Sequence, residues 1–441
     1  MPHTSRTPNQ PHLSSRPDSP SRRRLPELSP IAVAELDLDG PDGEVLSLTA
    51  VPGGPPLGAG GIYALVRLRG RPVATVLGQI PAGEDPAEVL TAAFRAREGR
   101  YEPPPDDGPA VPPATTVVVA TRERAAQLAR ALDSLLAQDH PDFRVLVVDN
   151  APVTTATRDL VEGAYAGRVG YVHEPVPGLA VAHNRAVATV RDREVLAFTD
   201  DDVIADPHWL TALTAPFAAD PGLGCVTGLI LPARLTTPAQ ILLESHGGFA
   251  KGFEPRLYDL ARPPADEPLF PFTAGSFGSG ANMAFRTEAL RAVGGFDPAT
   301  GTGTPARGGD DLYAFVRILA AGHRLRYTPG ALVWHHHRET WQDLRNQAYG
   351  YGAGLTAYLT AVLVRRPALL PALLAKVPRG LAHARAITAH RADGGEAAPG
   401  AHGAGTYPWP RGLSRLERRG MLYGPIGYAK ARGRLRGGGK P

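Results

Sequence analysis

Three consecutive carboxylates, Asp200, Asp201 and Asp202, end an apolar segment within LAFTDDDVIADPHW. Adjacent like charges disfavour one another's ionisation, so a positive partner belongs there. Carboxylates on a loop with backbone oxygens nearby suit a hard divalent cation, Mg2+ or Mn2+, that keeps open positions for phosphate oxygens. A blander reading has Asp206, before Pro207, capping the next helix, with the upstream acids favouring its positive end. Capping accounts for Asp206. It leaves Asp200, directly behind a strand and far from the helix start, unexplained.

A second acidic pair, Asp310 and Asp311, opens GGDDLYAFVRILAAGH, where Leu312, Phe315, Val316 and Leu319 outline an amphipathic helix ended by Gly322. Acids in a first turn complement the helix dipole, which competes with any chemical role. The lead-in DPATGTGTPARGG has the Gly, Thr and Pro content of a mobile loop beside a site. A third cluster, His335, His336 and His337, follows LRYTPGALVW. Alternate side chains of a strand face opposite ways, so the three cannot all reach one ion, and a zinc site of these histidines alone lacks separated ligand spacing. His336 and His337 are read as exposed.

The elements that must position these groups alternate. TTVVVAT is a continuous apolar run of the kind that forms a strand buried on both faces. A helix follows, with Leu128, Leu132, Leu135 and Leu136 on one side, and then the strands FRVLVVDN and VGYVHE, the helix AVAHNRAVATVRD and the strand EVLAFTDDD. Strands alternating with helices predict a parallel sheet covered on both faces, with ligands beyond the carboxyl ends of the strands. The residues there are Thr121, Arg122 and Glu123, then Asp149 and Asn150, then Asp200 to Asp202. The turn after TTVVVAT lacks the glycine fingerprint of a dinucleotide site.

The chain has 441 residues, a net charge of +4 and one cysteine, Cys225. The arginine excess sits near the two ends, so nucleic acid is not an expected partner. A single cysteine excludes an internal disulfide and fits a reducing compartment. Residues 1–29 lack the apolar centre of a signal peptide and read as a disordered tail. Residues 30–100 carry four alternating segments, a tight turn at Arg69 to Arg71 and the amphipathic helix PAEVLTAAFRARE, which predicts a small β-rich domain. A Pro-rich linker (101–114), an α/β catalytic domain (115–345) and a helical, basic C-terminal extension with a flexible end (346–441) follow. Within the extension, LTAYLTAVLV is stopped by Arg365, Arg366 and Pro367, too short to span a bilayer. It packs as a terminal helix or lies against a membrane surface. The expected location is the cytoplasm, including the inner face of the plasma membrane.

From about Thr115 to Arg338 the chain resembles the family 2 glycosyltransferases, which have the A-type nucleotide-diphospho-sugar transferase fold. VVVATRER, VVDN, FTDDDV, GSGANMAFRTEALRAVGGFD and GGDDLYAFVRILAAGHRLRYTPGALVWHH, in that order, carry the resemblance. It implies a Rossmann-like, mostly parallel sheet with helices on both faces. It places Asp149 at the nucleobase, Thr121, Arg122, Glu123, Asp200 and Asp201 around the nucleotide, and Arg338 at the diphosphate. Asp202, Asp200 and His335 become the ligands of Mn2+ or Mg2+. Gly280, Ala281 and Asn282 fall in the sugar and acceptor pocket. Asp311 takes the place of the general base, and Asp310 stands where most relatives have Glu, one methylene longer.

The implied reaction is metal-dependent, inverting transfer from a nucleotide-sugar, most commonly a UDP-sugar, to a hydroxyl of a carbohydrate, lipid-linked or other acceptor. Cell-envelope synthesis and peripheral membrane contact would suit the apolar, basic C-terminal segment. A metal-dependent nucleotidyltransferase or phosphohydrolase, and a noncatalytic sugar-nucleotide binding protein, are the rivals. Presence of both Asp202 and Asp311 argues against a decayed site.

Overall fold

The computed structural model describes residues 28–96, 111–191, 193–246, 248–376, 378–380, 407 and 409–437. Residues 1–27 of the expected tail, 101–110 of the expected linker, and 381–406 and 438–441 of the C-terminal extension lie outside the described residues.

Strands β1 (Ala32–Leu38), β2 (Val45–Ala50), β3 (Gly60–Leu68) and β4 (Arg71–Ile80) form a four-stranded sheet in the order β2-β1-β3-β4. Arg69 (φ 49°) and Gly70 (φ 80°) both adopt the left-handed conformation that a two-residue hairpin turn demands. Alternation along β1 divides the sheet's two faces. Ala34, Leu36 and Leu38 pack beneath Leu90 of α1 (Pro86–Arg95), a helix capped by the Asp85 carboxylate. Val33, with Tyr63 and Leu65 of β3, faces the rest of the protein.

The second sheet has nine strands, built from β5 (Thr115–Thr121), β6 (Phe143–Asn150), β7 (Val169–Glu174), β8 (Val195–Asp200), β9 (Val203–Ala205), β10 (Leu223–Pro232), β11 (Arg256–Tyr258), β12 (Asn282–Arg286) and β13 (Arg324–His335). The order is β11-β13-β10-β12-β8-β5-β6-β7, with β9 on β13. Strands β5 to β8 are parallel, as strands alternating with helices predict, whereas β9, β11 and β12 are antiparallel to their neighbours. The chain winds outward from β5 in both directions, so the switch point lies between β5 and β8.

Period-two alternation gives the central strands two buried faces. Val117, Val119, Val145 and Val147 pack against α2 (Ala125–Leu136) and α5 (Trp209–Ala219). Val118, Val148, Leu196 and Phe198 pack against α4 (Leu179–Thr189) and α8 (Asp310–Ala320). Further helices among the described residues include α3 (Ala156–Gly163), α6 (Pro238–Ser245), α7 (Thr287–Ala292), α9 (Trp341–Arg365) and α10 (Arg411–Gly437).

The two sheets share a core in which Ile31, Val33, Tyr63 and Leu65 meet Leu229, Leu231, Leu332 and Trp334. Arg67 adds a buried ionic tie, 2.6 Å from Asp206 and 2.7 Å from Glu35. Asp206 therefore does more than lead into α5, although its other oxygen does accept from His208 N at 3.0 Å. At the other end of the chain, α9 and α10 cross with their backbones in close approach. A Cβ at Gly352, Gly420 or Gly424 would collide with the facing helix's backbone, so glycine is what permits the crossing. No single helix among the described residues is long and apolar enough to cross a membrane.

Candidate active site

The chain leaves β8 at Asp200, turns at Asp201 and Asp202, and returns as β9, which pairs with the end of β13 in the register Val203↔His335. That pairing brings the acidic loop to the histidines, and His336 donates its backbone N–H to Asp202 O at 2.9 Å. Ligand atoms of Asp200, Asp202 and His335 all lie within 4.8 Å of one another. His335 Nε2 is 3.3 Å from Asp202 Oδ1, yet that oxygen is buried without a hydrogen bond. A buried carboxylate oxygen held only by an ion pair, with no well-formed hydrogen bond, has room for a further positive partner. Two carboxylates and an imidazole that converge on one point fit a divalent cation.

The electrostatics support a site waiting for positive charge. Burial, and then the neighbouring Asp202 charge, push Asp200 above the usual carboxylate range. Burial acts on Asp202 in the same direction, but His335, Arg338 and Arg124 outweigh it and hold Asp202 below that range. His335 is itself raised, because Asp202 and Asp200 overcome the cost of its burial. Arg338 Nη1 stands 3.4 Å from Asp202 Oδ2, half in solvent.

Of the three residues after β5, Thr121 donates its hydroxyl to Asp201 Oδ2 at 2.6 Å. Arg122 is exposed. Glu123, at φ 55°, accepts from Val153 N, Thr154 N and Thr154 Oγ1 at 2.6, 2.9 and 2.8 Å, so it fastens the loop after β6 rather than facing the aspartates. The side chain that does reach them is Arg124, 3.0 Å from Asp201 and 3.3 Å from Asp202. Its position one residue further on, at the start of α2, was the available sequence signal. Asp149, fully buried at the end of β6, accepts from Tyr171 OH at 3.0 Å and leaves Oδ1 unpaired. Burial raises its carboxyl above the ordinary range despite that hydrogen bond.

Helix α8 is preceded by Gly309, whose φ of 85° suits glycine and whose missing side chain lets α9 approach. Asp311 Oδ2 accepts from Gly280 N at 2.9 Å and Oδ1 from Leu312 N at 2.8 Å. Some solvent reaches Asp311, but protein surrounds most of it, and burial raises its carboxyl above the ordinary range against those N–H groups and the Lys251 charge. Asp310 points inward, 3.9 Å from His183 Nδ1, and is raised by burial and then by Asp311. Asp200 also acts on Asp310, so the two acidic clusters share one electrostatic neighbourhood. Lys251, absent from the sequence reading, belongs to it through Asp311 and Glu244.

The expected pocket residues divide. Gly280 lies against Asp311, and Ala281 is buried with its carbonyl accepting from Thr199. Asn282 departs from the expectation, because it lies in the core. Its Oδ1 accepts from Trp209 Nε1 at 2.9 Å, and Nδ2 donates to Leu229 O and Ala331 O at 2.9 and 2.8 Å. The β10–β13 register jumps there, from Gly228↔Thr328 to Leu229↔Leu332. The Asn282 amide satisfies carbonyls next to that break. His337 also departs from expectation: two residues after His335 it points to the same side, and it is 2% exposed. His336, on the other side, is half-buried.

Residues 112–349, more than half of the chain, match the family described as Glycosyltransferase like family 2, and the chain belongs to that family. The pre-mycofactocin glycosyltransferases of two Mycobacterium tuberculosis strains, CDC 1551 / Oshkosh and H37Rv, are 31% identical over 240 residues, which is 54% of this chain. The chain spans 46% of the length of these curated relatives. Among solved structures, the mannosyltransferase PcManGT from Pyrobaculum calidifontis in complex with GDP-Man and Mn2+ aligns at 22% identity and TM-score 0.45, covering 75% of this chain and 90% of that one. GalNAc-T7 with UDP, GalNAc and Mn2+ aligns at 18% identity and TM-score 0.42, covering 57% and 48%.

Proposed function

We propose that this protein transfers a glycosyl group, with inversion, from a nucleotide-diphospho-sugar to an acceptor hydroxyl. The observation that carries the reading is a backbone-held Asp311 beside Asp310, on which Asp200 of the Asp200, Asp202 and His335 cluster also acts. Asp311, raised above the ordinary carboxylate range, is a stronger base than a surface aspartate. It takes the proton of the acceptor hydroxyl as that oxygen attacks the anomeric carbon. The bond from that carbon to the diphosphate oxygen breaks, and its electron pair leaves on the nucleoside diphosphate. A divalent cation, Mn2+ or Mg2+, held by Asp202, Asp200 and His335 would neutralise charge on the departing diphosphate. Arg338 is close enough to Asp202 to turn onto the same phosphates.

Asp149 Oδ1 is buried without a partner, and a side-chain turn toward the site would let it accept from a base N–H. Uracil and guanine both present a ring N–H donor, so that oxygen does not choose between them, and a UDP-sugar is the first donor to try. Family membership favours glycosyl transfer over nucleotidyl transfer or phosphate release. The curated relatives are named for action on pre-mycofactocin, and the acceptor here is read only as a hydroxyl compound, carbohydrate or lipid-linked. Peripheral membrane contact is supported by exposed Leu363, Val364, Leu370 and Leu374 beside Arg365, Arg366 and Lys376.

The test is a thermal-shift panel of UDP, GDP, TDP and CDP, each with and without Mn2+ or Mg2+. A ligand that binds the folded state raises its apparent stability, so one nucleotide with a metal-dependent shift is expected. No shift with any pair would remove the donor site and favour the noncatalytic alternative.

A further inference from the structure

We infer that Tyr63 and Glu244 are positioning residues for the cation site, holding His335 through His337 so that Nε2, on the Asp202 side, is the nitrogen left for the cation. The inference rests on the reading of Asp200, Asp202 and His335 as cation ligands.

Four buried side chains form a continuous line from the N-terminal sheet to that cluster. Tyr63, on β3, donates its hydroxyl to Glu244 Oε1 at 3.3 Å. Glu244 Oε2 is 3.0 Å from His337 Nε2, and His337 Nδ1 is 3.1 Å from His335 Nδ1. His335 Nε2 then faces Asp202 Oδ1 at 3.3 Å. Tyr63, Glu244, His337 and His335 are all at most 6% exposed, so water does not compete for these contacts.

The chemistry of each partner fixes the proton positions. A carboxylate only accepts, so His337 carries its proton on Nε2 and presents a bare Nδ1. Two facing ring nitrogens need one donor and one acceptor, so His335 must carry hydrogen on Nδ1. Its Nε2, on the Asp202 side, is then the nitrogen left to bond a cation.

The surroundings keep the line rigid. Helix α6, which carries Glu244, is fixed at its start by a reciprocal capping pair, Thr237 and Gln240. Gln240 also donates to His337 O at 3.3 Å. Any side chain at Gly248 would land on the Glu244 carboxylate, and Phe249 lies over both histidine rings at 5.1 and 5.5 Å between centroids. The N-terminal sheet thereby contributes to the cation site through Tyr63.

The experiment is calorimetric titration of Mn2+ into full-length, metal-free protein at saturating nucleoside diphosphate. Glu244→Ala and His337→Leu should weaken Mn2+ binding by about tenfold or more, the usual cost of losing an outer partner of a ligating histidine. Tyr63→Phe should weaken it by roughly threefold. His337→Asn, whose amide oxygen can still accept from His335 Nδ1–H, should recover most of the affinity lost in His337→Leu. Should a variant fail to fold by circular dichroism, Glu244→Gln and Tyr63→Phe carry the test. Unchanged Mn2+ affinity across folded variants, or no difference between His337→Asn and His337→Leu, overturns the positioning role. Absence of Mn2+ binding by the wild type overturns the cation reading itself, and the positioning role with it.

Discussion

Gly280 donates its backbone N–H to the Asp311 carboxylate at 2.9 Å, with Leu312 N–H on the other oxygen at 2.8 Å. Both oxygens are oriented before any substrate arrives. Asp311→Asn removes the proton acceptor and sets an amide NH2 against one of those donors. Turnover should fall by about 10²–10⁴-fold, the typical contribution of a general base. Metal-dependent nucleotide affinity should stay within about twofold, because Asp311 lies outside the ligand cluster. An equal loss of nucleotide affinity would remove Asp311 from the base role.

Asp202 is the junction of the acidic cluster, with His335 on one oxygen and Arg124 and Arg338 on the other. Asp202→Ala should abolish the Mn2+ dependence of nucleotide binding in calorimetry. Some residual, metal-independent binding through the freed arginines is expected. A metal titration indistinguishable from the wild type's would exclude Asp202 as a ligand.

Asp310 gives a pH signature in stability. Burial and the Asp311 charge raise its carboxyl, so the folded chain binds that proton more tightly than the unfolded chain does. The resulting stability is complete below about pH 4 and is lost as pH rises through the raised folded value. Asp310→Asn escapes that loss. Its unfolding free energy should match the wild type's near pH 4 and exceed it at pH 9 by a few kcal/mol, in order of magnitude. A variant less stable at pH 9 would mean that an ionised Asp310 is favoured in the fold.

Arg67 compensates Asp206 and Glu35 at the contact between the two sheets. Arg67→Ala leaves the buried Asp206 charge unpaired and should cost about 3–5 kcal/mol in urea unfolding. Deleting residues before 112 would also uncover Leu229, Leu231, Leu332 and Trp334. That fragment should aggregate, and a soluble, fully active one would show the sheets to be energetically independent.

The exposed apolar residues beside Arg365 and Arg366 should carry the protein upward with anionic vesicles in a flotation gradient. Leu370→Asp with Leu374→Asp should reduce that fraction severalfold, and high salt should weaken it. Equal recovery with neutral and anionic vesicles would count against a basic contact.

Local pattern made much of this protein legible in its sequence. Unbroken apolar runs marked β5, β6 and β8, and leucine spacing marked α2, because burial on two faces or on one stripe leaves a short-range signature. Strand ends in a parallel sheet then located Thr121, Asp149 and Asp200 without coordinates. Which long-range pairs meet was a different matter. The resemblance had grouped His335 with Asp202, but the β9–β13 register is what sets them side by side, and the break in the β10–β13 ladder drew Asn282 into the core to satisfy stranded carbonyls. Arg124, Glu244 and Tyr63 joined the neighbourhood through helix placement and docking of the N-terminal sheet. Periodicity tells which way a side chain points relative to its own element; only the packing of distant elements decides what it meets.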